Sequence, residues 1–155
     1  MATSQGKREI LVTARAAADL SNASLSGKNT PYLEITIMDS TVKTNPDKES
    51  SVNPVWDELF MFKVPGASPG EEPLVIHVTA KHQVTAPLIP DSTIGKGSVP
   101  LVQLWSKGSE EVKIPLTDSS GQPAGAAFIG VKVETPKDER EIRKFWLNYS
   151  NINMV

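Results

Sequence analysis

The amino-acid sequence predicts an all-β fold, an antiparallel β-sandwich of short strands, followed by a C-terminal amphipathic helix. Three observations predict it. Apolar residues recur at every second position in segment after segment, as they do where one face of a strand is buried and the other is wet. The 12 prolines and 10 glycines fall almost wholly between those segments, where they interrupt no ladder. From Pro136 onward the apolar period changes from that of a strand to that of a helix.

Taken in order, Ile10, Val12 and Ala14 alternate in the first strand and Leu33, Ile35 and Ile37 in the next. Phe60, Phe62 and Val64 follow, then Leu74, Ile76 and Val78. Val112, Ile114 and Leu116, and finally Ile129, Val131 and Val133, complete the pattern. Turn-rich pieces at Ser21 to Pro31, Asn45 to Pro54, Pro65 to Pro73, Pro87 to Asp91 and Asp118 to Gly125 separate them. Short strands at this spacing indicate a sandwich rather than a parallel βαβ sheet. The most informative stretch is Asn53-Pro54-Val55-Trp56-Asp57-Glu58. Pro54 keeps Asn53 out of the helical region, so the chain enters the following strand from an extended turn. Trp56 and Trp105 read as packing residues.

The chain has 155 residues, the size of one domain, and no cysteine, so disulfides are excluded and a structural zinc site has few options. A net charge of −2 argues against nucleic-acid binding driven by a general basic field. No stretch approaches the roughly 20 apolar residues of a membrane-spanning helix. Met1 to Gln5 is short and polar, unlike a signal peptide, and a cytoplasmic protein is expected, peripheral to a membrane or part of a larger assembly. With only two histidines, His77 and His82, nucleophilic catalysis has few parts, and no catalytic residue, metal ligand or cofactor site is assigned. Gly95-Lys96-Gly97-Ser98 lacks the rest of the P-loop spacing. The protein is not expected to be an enzyme.

With the strands laid out, residues 8–135 resemble the C2 domain family. The opening Ile10, Val12, Ala14, Ala17 and Leu20, the loop from Gly27 to Pro31-Tyr32-Leu33, and Asn53 to Glu58 with Phe60 and Phe62 carry the resemblance. Ile94-Gly95, Val99-Pro100-Leu101 and the closing strand from Gly125 to Val133 extend it. It implies an eight-stranded antiparallel sandwich of the type II permutation. Residues 1–7 are expected to be a flexible N-terminus and residues 136–155 a helical tail. Many members bind calcium through loop aspartates; laid on this chain, those positions fall on Ser24, Thr30, Ala80 and His82. Only Asp91 lies near a remaining acidic position, where an ordinary turn aspartate is the expectation. Calcium needs roughly 6–8 oxygen ligands, largely carboxylates, and calcium binding is therefore not expected.

Two segments are candidate contacts. The loop Lys81 to Pro90 is unusually apolar, and Leu88-Ile89 stands between Pro87 and Pro90. Leu25 and Lys28 of the first loop should lie nearby. Apolar tips flanked by Lys28, Lys81 and His82 fit either a protein partner or the surface of an anionic membrane; folding back of Leu88 and Ile89 onto the rim is the competing expectation. In the tail, Ile142, Phe145, Trp146 and Tyr149 share one helix face, with Lys137, Arg140, Arg143 and Lys144 around it. Such a stripe most often covers its own domain; docking on a partner comes second and membrane binding third. Many members of the family it resembles carry a lysine-rich concave face; Lys43 and Lys63 could stand for it here, but Glu34 and Asp39 lie nearby, and a solvated, mixed-charge face is the expectation. The expected function is a calcium-independent binding module, an adaptor or scaffold component with a protein partner. The alternative is a peripheral module binding anionic phospholipid weakly through its apolar loops.

Overall fold

The chain alternates as its sequence dictates, and the alternation builds two facing layers. The computed structural model describes residues 7–23, 28–49, 52–65, 73–134 and 153–154. The strands are β1 (Lys7–Ala18), β2 (Pro31–Ile37), β3 (Ser40–Lys43), β4 (Val55–Pro65), β5 (Val75–His82) and β6 (Ser92–Pro100). A one-turn helix, α1 (Leu104–Lys107), leads to β7 (Ser109–Thr117), β8 (Pro123–Glu134) and a short β9 (Asn153–Met154). One layer runs β3-β2-β5-β6 and the other β7-β8-β1-β4-β9. Between β6 and β7 they are joined by a single pairing, Lys96 with Thr117. Strands β1 to β8 pair antiparallel, whereas β9 lies parallel to β4.

The residues whose alternation predicted the strands fill the space between the layers. Ile10, Val12 and Ala14, Leu33, Ile35 and Ile37, Phe60, Phe62 and Val64, and Ile76 and Val78 are all buried there with Ile114, Leu116, Ile129 and Val131. Leu101 and Leu104 close one end of the core. Leu20 comes back into it from the first loop at the other end.

Two strands lack a clear apolar alternation. Strand β3 carries a single buried residue, Val42. Strand β6 substitutes bare backbone for side chains where β7 presses closest. A methylene on Gly97 would overlap the Pro115 carbonyl oxygen, so glycine is required by contact with its neighbour. The helix expected from Pro136 and its residues Arg140, Ile142, Arg143, Lys144, Phe145, Trp146 and Tyr149 lie outside the described residues.

Candidate functional site

Four connections meet at one end of the sandwich: β1–β2, β3–β4, β5–β6 and β7–β8. Pairing of Pro31 with His82, and of Ala18 with Ala126, brings the strand ends together there. The Asn53–Glu58 stretch is the clasp of this rim. Asn53 Oδ1 accepts the Asp19 amide at 3.0 Å, and the Pro54 carbonyl accepts the Ala17 amide at 3.0 Å. Trp56, half-buried against the core, donates its indole N–H to the Pro31 carbonyl at 3.2 Å. Glu58 Oε2 accepts the Asn45 amide at 2.8 Å, and burial raises its carboxyl above the usual range. One short segment thus holds backbone at both ends of the β1–β2 connection and within the β3–β4 connection. Trp56 is a brace at the edge of the core, so its truncation costs less than the about 3–5 kcal/mol of a core tryptophan.

Inside the first loop, Asn29 does similar work. It is buried, its Oδ1 accepts the Ala23 amide at 2.9 Å, and its Nδ2 donates to the Ser21 carbonyl at 2.9 Å. Sequence reasoning missed this residue; its only signal is an asparagine set one residue before Thr30 and a proline-led strand.

The positions that would carry calcium ligands hold other groups. Ala80 is wholly buried in the core. His82 Nδ1 accepts the Thr30 amide at 2.8 Å, which ties β5 to the start of β2. Asp91 commits both oxygens to the protein. Its Oδ2 accepts the Tyr32 hydroxyl at 2.5 Å and its Oδ1 the Val84 amide at 2.9 Å. These bonds, the hydroxyl's first, hold the Asp91 carboxyl below the ordinary carboxylate range. Burial, and then the bond to Asp91, pushes the Tyr32 phenol upward. Ser24 lies outside the described residues. Among the described residues no three or more His, Asp or Glu side chains group so as to hold a metal ion. This donor set does not fit calcium, which would need carboxylates with free oxygens.

The predicted contact residues separate. Leu88, at φ 65°, is 102% exposed, and Ile89 is 56% exposed. They project from the rim rather than folding back on it. A leucine held in the left-handed region is strained by about 1–2 kcal/mol, and the short turn closed by the Ile89 amide on the Ala86 carbonyl holds it there. Lys28 is exposed in the first loop, close to Thr30 and so to His82. Lys81 does not join the tip. Its ammonium lies 3.3 Å from Glu34 on the outward face of β2 and β5, and Lys43 approaches the same carboxylate at 3.7 Å. Glu34 thus pairs with both Lys81 and Lys43. Leu25 lies outside the described residues.

Comparison with known proteins agrees with the sandwich. The C2 domain family model matches residues 8–116, and the chain belongs to the C2 domain family. It is 31% identical over 121 residues to Synaptotagmin-1 from Aplysia californica, a match spanning 73% of this chain and 27% of that protein. The chain therefore accounts for about a quarter of that curated relative. Among solved structures, the C2A domain of plant Extended Synaptotagmin 1 superposes with a TM-score of 0.64 at 14% identity, covering 84% of this chain and 97% of that one. Human GIVD cytosolic phospholipase A2 superposes at 0.65 and 17% identity over 86% of this chain, but over 17% of its own. At these identities the likeness is one of fold. No helix among the described residues is long and apolar enough to cross a membrane.

Proposed function

We propose that this chain is a calcium-independent C2 binding module, a cytoplasmic adaptor or scaffold component that grips a protein partner through the β5–β6 tip. The observation that carries the reading is Leu88, fully exposed and held in a strained conformation between two prolines. Strain of this kind persists where the surroundings enforce it, and it concentrates at functional positions. A stiff apolar knob loses little freedom on entering a pocket, which favours specific docking. Calcium independence rests on the rim chemistry: Asp91 is used as an internal brace and Ala80 has no donor to offer.

The second reading, peripheral attachment to anionic phospholipid, draws on the same tip with Lys28 beside it. Burying Leu88 and Ile89 contributes roughly 3–6 kcal/mol at most, and each cation near an anionic leaflet adds about 1 kcal/mol. With Lys81 committed to Glu34, few cations remain for the headgroups, and a single signal of this size gives weak, reversible attachment.

The test compares wild type with Leu88→Asp/Ile89→Asp in affinity capture from native lysate and in sedimentation with anionic vesicles, with and without calcium. The adaptor reading expects a protein captured in near-stoichiometric amount by wild type and lost with the variant, with vesicle binding weak and indifferent to calcium. Vesicle binding that the variant abolishes, with no such protein, selects the membrane reading. A calcium-dependent gain in either arm overturns calcium independence.

A further inference from the structure

We infer that the outward face of β1 and β4 is the docking surface for this chain's own segment 135–152, with the stripe Ile142, Phe145, Trp146 and Tyr149 as its apolar contact. The face is defined by residues that alternation turns away from the core. Leu11 and Met61 are direct cross-strand partners, as are Thr13 and Leu59 in the next row. In a sandwich with its outer face wet, such residues would meet water. Leu11 is 4% exposed and Met61 is 0% exposed.

The route of the chain says what covers them. Strand β8 ends at Glu134, paired with Glu9 of β1, which is itself paired with Lys63 of β4. The chain is next described at Asn153, lying parallel to β4 beside Phe60. Between these points it crosses β1 and β4, roughly 14 Å at about 4.8 Å per strand spacing, and steps back roughly 10 Å along the strands. A connection between parallel strands of one sheet takes a dozen or more residues, usually with a helix on a face of the sheet. Segment 135–152 is long enough. The inner face is already filled by Ile10, Val12, Phe60 and Phe62. A crossover over the outer face would cover Leu11 and Met61, whereas a detour around the strand ends would leave them to other cover.

The neighbouring rows limit the footprint. On β8, Gly130 leaves room for the Arg15 guanidinium, which lies over it and binds Glu111 through two bonds of 2.9 and 2.7 Å. A methylene on Gly130 would meet Arg15 Nη2 at 2.5 Å. This charged pair closes the β7–β8 side of the face and leaves the apolar strip beside β4 for the tail.

The test is direct in the intact chain. With labelled methionine methyls, the Met61 resonance (assigned by Met61→Leu) is expected to show Overhauser contacts to the ring protons of Phe145, Trp146 or Tyr149. No contact to any residue of 136–150 would overturn the assignment, as would contacts that vanish on dilution. Because the chain has no cysteine, Leu11→Cys reports cover independently. Its thiol is expected to react about tenfold or more slowly than that of the exposed-site variant Val102→Cys, the protection expected of a stably covered site. Adding Phe145→Asp and Trp146→Asp should erase that difference. Equal rates without them, or a slow rate that they leave unchanged in a folded chain, would count against the tail. If the combined variant does not fold, the methyl contacts decide alone.

Discussion

Within the single connection from β5 to β6, Asp91 and Leu88 have opposite lives. Asp91 receives a hydroxyl and an amide and ties Tyr32 of β2 to the loop at Val84. Leu88 stands clear of the rim with its whole side chain in water. A rim that cages a cation would turn its acids toward solvent. Here the acid is bonded to Tyr32 and Val84 as a brace and the apolar residue stands in solvent. The contrast says that this end of the sandwich is built from a pinned base and a free tip, and the proposed function assigns recognition to the tip. Removing base residues should therefore lower stability, and changing the tip should lower binding alone.

The largest effect is expected from Asn29→Ala. It removes two partly buried hydrogen bonds to the first loop, leaving the Ala23 amide and Ser21 carbonyl to find new partners. Buried groups left unmatched cost about 1–3 kcal/mol each, so a loss of about 2–4 kcal/mol in urea unfolding is expected. A loss below about 0.5 kcal/mol, the scale of an ordinary surface change, would show that the first loop is not pinned. Next comes Tyr32→Phe, which removes the donor to Asp91 and nothing else of its shape. Hydrogen bonds to charged groups contribute about 1.5–3 kcal/mol; the low end is expected because Asp91 keeps the Val84 amide.

The acid side of the same brace supplies a pH test. The folded protein holds the Asp91 carboxyl below its ordinary value, through the Tyr32 hydroxyl first and the Val84 amide second. A depressed carboxyl stabilises the folded state above the unfolded value, near pH 4. That contribution is lost as pH falls through the lower folded value. Asp91→Asn should therefore be less stable than wild type at neutral pH, and the gap should narrow below about pH 4. Parallel stability curves from pH 7 down to pH 2.5 would mean that Asp91 is not the charged brace.

How much of this was legible in the sequence follows from what each feature depends on. Strands with one dry face announce themselves, and Phe60, Phe62 and Val64 sit where alternation put them. Strand β6 hides because Gly97 yields its side chain to the Pro115 carbonyl, a contact between residues far apart in sequence. At Ala80 the residue type alone was informative, because alanine carries no side-chain oxygen wherever it is placed. The pairing of Lys81 with Glu34 needed the register of β2 against β5, which no local pattern fixes. Alternation alone pointed Leu11 and Met61 to solvent; their burial depends on what packs on the outer face, which strand periodicity cannot sense. The projection of Leu88 was half legible: two prolines stiffen the loop, but its direction comes from the positive φ at its tip.

The smallest stability effect is expected where the binding effect is greatest. Leu88→Asp removes a side chain that contributes no burial, so unfolding free energy should stay within about 0.5 kcal/mol of wild type. Leu88→Gly sharpens the point. Glycine relieves about 1 kcal/mol of left-handed strain but returns roughly 0.4–1 kcal/mol of entropy to the unfolded chain, so the two terms nearly cancel. Both variants should thus melt like wild type while partner capture falls with each, because glycine also lacks the knob. If Leu88→Asp instead destabilises the fold as much as Tyr32→Phe does, the tip is packed in solution, and the division between a pinned base and a free tip fails.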